Sequence, residues 1–426
     1  MKEEFLHFVW LYKKFKLTDL FTTIGQPITI LNTGQYLQKE GPDFFNAQLI
    51  INNLRWAGNI EIHLKSSDWY VHHHQNDANY DNVILHVVWE HDVDVFRQNN
   101  DSIPVLELKN YVQPVIVAQY EQLMKPKSWI NCEKEISNIE DFTLQHWIER
   151  LFIERLQKKA IEVNNLLAAT INDWEHVFYA FLAKSFGLNA NGNSFLKMIQ
   201  TLPMSVIRKE RHNLQHLEAL FFGTIGLLNT DYEDVYFLEL KKEWIFMQHK
   251  YQLETVNHLT IQFFKHRPDN FPTIRLAQFA QLIYSHDNLF QACLDVTSTK
   301  EMYQLFTVQV SPYWRSHYIF DKESPLKKKF ITPRFIDLVI LNCIIPFRFC
   351  YASSKGNEPI EQLIAFATAI SPEKNAIIER FQRLGIKPVD SYHSQALLQL
   401  KNGYCNYNRC LNCEIGQKLI NFTSSN

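Results

Sequence analysis

The sequence predicts an α+β N-terminal domain, a helix plus a small mixed but mostly antiparallel sheet, followed by a larger all-α domain. Three observations predict it. An apolar stripe at helical spacing opens the chain, short period-two runs rich in Val, Ile and Trp follow, and beyond about residue 137 the period becomes helical and stays so. A length of 426 residues, at roughly 150 per domain, suggests two or three domains. With 46% hydrophobic and 21% charged residues, the chain can bury a large core, and 31 phenylalanines make that core aromatic.

The opening stripe is Phe5, Phe8, Val9, Tyr12 and Phe15, which share one helix face. Ile28–Leu31, Ala47–Ile51, Leu54–Leu64, Val83–Trp89 and Val105–Leu108 then read as strands. Asn52-Asn53, Gly58 and the Asn76–Asn82 segment punctuate them. Ser137 or Asp141 can cap a helix through Leu144, Trp147, Leu151 and Leu156. Eight more helical stretches follow, from Asp173–Phe186 to Glu373–Gly385, and no repeat period links them. The expected division is 1–125 for the sheet domain and 126–426 for the helical domain with its Cys-rich tail.

Composition excludes several function classes. A net charge of -2 argues against binding nucleic acid through bulk positive charge, although a local basic groove would suffice. The 12 glycines form no G-x-G and no P-loop pattern, so a backbone cradle for pyrophosphate is not expected. No serine sits in G-x-S-x-G, the strained turn of α/β-hydrolases. Met1-Lys2-Glu3-Glu4 is too acidic for a signal peptide, and the apolar stretch Phe335–Phe347 is broken by Asp337, Asn342 and Pro346. The expectation is a cytoplasmic protein with no membrane association and seven reduced thiols.

The densest polar constellation runs from Gly41 to Asp92. It contains Pro42-Asp43, Glu61-Ile62-His63-Leu64-Lys65, the run His72-His73-His74, Tyr80 and His86. If Ile60–Lys65 is extended, Glu61, His63 and Lys65 share one sheet face and Ile60, Ile62 and Leu64 the other. Paired carboxylates that hold a hard divalent cation, with a Lys or His to steer a water, are what metal-assisted phosphodiester hydrolysis needs. Asp43 is the candidate partner for Glu61. With a two-residue turn at Asn52-Asn53, Asp43 pairs with Ile62 and faces the core. A three-residue turn, or a bulge at Gly58, would set it opposite His63 on the Glu61 face. The functional reading therefore expects an irregular hairpin. The bland reading of the same residues is a solvated sheet face, with His86 in the core and His72–His74 in a loop.

A helix with an early acid, a Pro-Asp, and an acidic triplet on a following strand resembles the PD-(D/E)XK, or restriction-endonuclease-like, nuclease superfamily. Pro42-Asp43 matches the first half of its signature and Glu61 the acid of the second; Glu4 could be the helix acid. The lysine position holds His63, and Lys65 comes two residues late. Glu107-Leu108-Lys109 fits the lysine better but lacks a preceding Pro-Asp. The resemblance spans roughly residues 1–110. It implies a divalent-metal-dependent nuclease, with Asp43 and Glu61 as ligands of Mg²⁺ or Mn²⁺, His63 and Lys65 assisting catalysis, and nucleic acid as partner; a catalytically inactive binding or scaffold protein is the alternative. A zinc hydrolase built from His63, His72, His74 and His86 is a third reading. The whole chain is similar to an uncharacterised bacterial family of unknown function in which Gly-Pro-Asp-Phe, Glu-Ile-His and Tyr-x-x-Val-Ile-Leu-His segments recur with a Cys-rich tail.

That tail places Cys405, Cys410 and Cys413 in a C-x4-C-x2-C pattern, three thiols within reach of zinc or an iron–sulfur cluster. Some nucleases of the superfamily carry such a cluster. A fourth ligand must come from elsewhere, from Cys350, Cys343 or His393 ahead of Cys132. The alternative is three buried thiols packing as small hydrophobes. In the helical part, Arg267 and Arg275 flank two prolines and could clamp phosphate, or lock a loop. Lys327–Lys329 and Arg208-Lys209-x-Arg211 are short basic runs that could flank a groove.

Overall fold

The computed structural model describes residues 1–36, 41–125, 128–254, 261–264, 266–357 and 359–420. The chain forms two compact units. The first comprises 1–147, 380–386 and 400–426, and the second 148–379 and 387–399. The C-terminal tail, grouped above with the helical part, thus folds with the N-terminal sheet.

Helix α1 (Glu3–Leu11) begins with two glutamates in its first turn, where the helix dipole favours negative charge, and buries Phe5, Leu6, Phe8, Val9 and Trp10. The sheet contains β1 (Leu20–Phe21), β2 (Pro27–Asn32), β3 (Gln35–Tyr36), β4 (Phe44–Ile51), β5 (Leu54–Lys65), β6 (Val83–Glu90) and β7 (Val105–Glu107). Its order is β1-β2-β4-β5-β6-β7, with β3 on the β4 edge. The pairings up to β5 are antiparallel; β5 with β6 and β6 with β7 are parallel. A parallel neighbour needs a crossover, here the short helix α2 (Asp68–Val71) and two 3₁₀ turns, His74–Asn76 and Ala78–Tyr80. Residues 83–88 of β6 are all buried, as suits a strand covered on both faces.

The β4–β5 hairpin turns through Asn52 and Asn53, both at positive φ as a tight two-residue turn requires. From Ile51↔Leu54 to Ala47↔Gly58 the register is regular, then it shifts so that Phe44 faces Ile60. The extra residue lies on β4, where Asn46 takes φ 58°. The expected irregularity therefore lies across the ladder from Gly58 and slips the register the other way, setting Asp43 opposite Glu61 rather than His63. Gly58 answers a different need. A Cβ there would stand 2.5 Å from Ile84 Cγ2 and 2.6 Å from Asn82 O, so only glycine lets β5 approach β6 this closely.

Helix α3 (Pro114–Met124) and the first part of α4 (Asp141–Ala169) complete the first unit with the tail. The second unit is helical apart from a two-stranded ribbon, His317–Ile319 with Lys322–Glu323. Its helices Trp174–Phe186, Val235–Tyr251 and Pro272–Ser285 lie where the periodicity puts them. Among the described residues one helix, Pro333–Ser354, is long and apolar enough to cross a membrane, and 61% of its apolar window is buried within the fold.

The basic residues of the second unit are mostly engaged. Arg208 pairs with Glu175, Arg211 with Asp287 and Lys327 with Asp269. Buried Lys329 donates to the carbonyls of Trp314 and His317. Arg275, in the helix Pro272–Ser285, donates to Asn270 of the preceding turn and to Gln278 and lies over the Phe335 ring, which ties that turn to the helix.

Candidate functional site

The hairpin bulge creates the site. Asp43 N–H donates to Glu61 Oε2 (3.2 Å), and Ile62 N–H donates to Asp43 Oδ2 (3.0 Å). The two carboxylates are thereby tied across neighbouring strands on one side of the sheet. This face is not solvated: Glu61 is 5% exposed and His63 1%. Central strand β5 carries polar side chains into an interior closed by α1 and by the crossover.

His63 Nε2 is the hub. It lies 3.1 Å from His72 Nδ1, 3.4 Å from Glu61 Oε1 and 3.9 Å from Glu3 Oε1, while its Nδ1 is 2.9 Å from His86 Nε2. His74 Nε2 is 3.3 Å from Glu61 Oε1, its ring stacked on Tyr80. His72 and His74 enter because His73 between them adopts φ 60°, reversing the chain within one residue. His63, His72 and His74 each offer a ligand atom within 4.8 Å of the others. From α1, one turn apart, come Glu3 and His7; His7 Nε2 is 3.1 Å from Asp43 Oδ2.

Three carboxylates thus crowd together, and among the described residues no Lys or Arg pairs with any of them. Burial, then the nearby charges of Asp43 and Glu3, pushes the Glu61 carboxyl far above the usual range. Burial raises Glu3 to about 7 against the opposing pull of His7, with Asp43 and Asp68 adding to the rise. Three of the histidines are held neutral: burial and neighbouring imidazoles lower His63 to about 2 and His86 to about 3. His74 falls to about 4, through burial and His72. His7 Nε2 and His74 Nε2 face the carboxylates of Asp43 and Glu61, and among the described residues buried His86 Nδ1 has no hydrogen-bond partner. Protonated or mutually repelling carboxylates beside imidazole nitrogens make a donor set that suits a divalent ion.

Asp43, Glu61 and His63 are brought together; Lys65 is not. It is exposed at the end of β5, about 13 Å along the strand from Glu61, with its backbone N–H on Asp68 and its charge beside Asp92. On α1 the residue facing the site is Glu3, where Glu4 was expected. The pair Glu3 and His7 at i, i+4 was a signal in the sequence; nothing local marked Asn46.

The tail thiols of Cys405, Cys410 and Cys413 line one cavity in the first unit, and Cys132 lines it with them. Cys343 and Cys350 are buried in the second unit, and His393 pairs with Asp390.

Searches of curated proteins and of solved structures gave no match. A family model described as "Protein of unknown function (DUF2851)" matches residues 3–376, and the chain belongs to that family.

Proposed function

We propose that the first unit is a divalent-metal-dependent phosphodiester hydrolase of the nuclease type, with the ion held by Asp43 and Glu61. The observation that carries this reading is the Asn46 bulge, which sets buried Glu61 beside half-buried Asp43 with, among the described residues, no Lys or Arg paired to either. The order of elements supports it as well: an acid-bearing helix, an antiparallel hairpin and a crossover to parallel strands are in keeping with a restriction-endonuclease-like core. Neutral imidazoles at hand favour Mn²⁺ over Mg²⁺, because nitrogen donors suit the transition metal better.

The ion would supply Lewis acidity toward a phosphoryl oxygen and an acidified water. Glu3, whose side chain is 38% exposed and which burial raises to about 7, would be the group poised to take up a proton near neutral pH. His63, uncharged and pinned between His86 and Glu61, positions the carboxylate rather than donating a proton. Nucleic acid is the proposed substrate on the strength of the Pro-Asp and Glu placement.

The convergence of His63, His72 and His74 supports a second reading, a zinc hydrolase centred on those rings with Glu61 beside them. Cleavage of single- and double-stranded DNA and RNA should be measured with Mn²⁺ and with Zn²⁺, for wild type, Glu61→Gln and His72→Ala. Mn²⁺-dependent cleavage lost in Glu61→Gln and retained in His72→Ala is the expected result. Zn²⁺-dependent activity lost in His72→Ala would select the second reading. No cleavage by wild type with either ion would leave a binding or scaffold role.

A further inference from the structure

The cavity in the first unit is lined by four of the chain's seven cysteines. Three come from the tail and one, Cys132, from a turn whose carbonyl accepts from Glu135 and Ile136 N–H. The tail is shaped to present its thiols. A 3₁₀ turn at Cys405–Tyr407, Asn408 at φ 52°, and a second 3₁₀ turn at Cys410–Asn412 wrap the chain around the cavity. Gly416 has no room for a side chain, since a Cβ would stand 2.2 Å from Cys410 O, so the helix Glu414–Ile420 packs directly on the loop.

We propose that Cys132, Cys405, Cys410 and Cys413 are the four ligands of an iron–sulfur cluster of the [4Fe–4S] type.

Four thiols around one apolar cavity, lined also by Leu123, Leu400 and Ile415, exceed what packing alone needs. Their surroundings suit thiolates. Asn131 Nδ2 donates to Cys410 Sγ (3.4 Å), and the backbone N–H groups of Gly416 and Ile415 favour the Cys413 thiolate. Hydrogen bonds to sulfur stabilise cluster charge. Arg409 lines the cavity, and the Lys401 ammonium acts on Cys405, so two cations offset the charge of a four-thiolate centre. Without a metal these thiols are poor acids. Burial and the neighbouring thiols push Cys405 up to about 12; burial pushes Cys413 equally high against its N–H donors; Cys132 rises further, by burial and by the three tail cysteines. Metal binding would therefore release protons here.

Geometry separates a cluster from a single zinc. Tetrahedral zinc with Zn–S of about 2.3 Å draws all four sulfurs to about 3.8 Å from one another. Among the described residues, three ligand atoms within 4.8 Å of each other occur at His63, His72 and His74, and not at these cysteines. The four cysteines thus line one cavity without the tight spacing a single zinc imposes, and a polynuclear centre needs a wider one.

The test is metal and acid-labile sulfide analysis of the full chain purified without oxygen, together with visible absorption and electron paramagnetic resonance after reduction. The expected result is about four irons and four sulfides per chain. Cys132→Ser and Cys405→Ser should lose most of both, and Cys293→Ser, a buried cysteine of the second unit, should retain them. Should Cys132→Ser fail to fold, wild-type stoichiometry and the partly exposed Cys405→Ser decide. One zinc per chain without iron, no iron after reconstitution with iron and sulfide, or full iron in Cys132→Ser would each overturn the assignment.

Discussion

Glu61→Gln should stabilise the metal-free protein while abolishing its response to metal. The Glu61 side chain is 6% exposed, and its carboxyl is raised far above its ordinary value of 4.5 by burial and by Asp43. A raised carboxyl has no penalty below its unfolded pKa and loses stability as pH climbs, because the unfolded chain releases a proton that the fold retains. At ~1.4 kcal/mol per unit, over the roughly 2.5 units to neutrality, the loss reaches about 3 kcal/mol at pH 7. Between pH 7 and 8.5 Glu3 and Glu218, both raised to about 7 by burial, still give up part of their protons, so Glu61 is read as the difference in slope between wild type and Glu61→Gln. Urea unfolding in chelator should show wild type losing about 2 kcal/mol more than Glu61→Gln across that window. The glutamine oxygen can still accept from Asp43 N–H, so the hairpin bond survives. Mn²⁺ should raise the wild-type midpoint, most at high pH, and leave the variant unmoved. A flat wild-type profile in chelator, or a variant less stable than wild type at pH 8, would refute the reasoning.

Asn46→Val, whose β-branched side chain disfavours the φ of 58°, should push the hairpin toward the regular ladder in which Asp43 stands opposite Ile62, so that calorimetry shows at least a tenfold loss of Mn²⁺ affinity (~1.4 kcal/mol); Asn46→Gly, which tolerates the same φ, should keep wild-type affinity. Because the pKa of His86 is depressed to about 3, stability present above pH 6.5 is lost as pH falls, by ~1.4 kcal/mol per unit for each such histidine. His86→Gln should flatten the decline between pH 6.5 and 4.5 by that amount, and an unchanged slope would show that His86 takes up its proton in the fold. Gly58→Ala must push Ile84 or the Asn82 carbonyl aside and should cost about 1–3 kcal/mol in urea unfolding, with the chain still folded.

Most of the fold could be read in the sequence because each element announces itself locally. The alternation of β5 and the continuous apolar run of β6 mark strands, and the stripe in α1 marks a helix. The candidate site was legible in part: Asp43, Glu61 and His63 stand together, but through a bulge at Asn46, a residue that enters the left-handed region without any flanking signature. Phase at the start of α1 separates Glu3 from Glu4, and only His7, four residues on, could have fixed it. Lys65 shares the alternation of Glu61 but not its place, because β5 runs out of the interior before reaching it. Cys132 had no local tie to a motif about 270 residues away; only tertiary structure makes them neighbours.

The first unit is discontinuous in the chain, and that has a consequence for its birth on the ribosome. At about 5–20 residues per second, roughly a quarter of a minute to a minute separates the emergence of Cys132 from that of Cys405. During that interval the N-terminal sheet must wait beside a growing helical domain, with the hydrophobic surface meant for residues 400–420 uncovered. Transient chaperone occupancy of that surface, and aggregation of nascent chains arrested near residue 390, are the burdens such a threading order imposes.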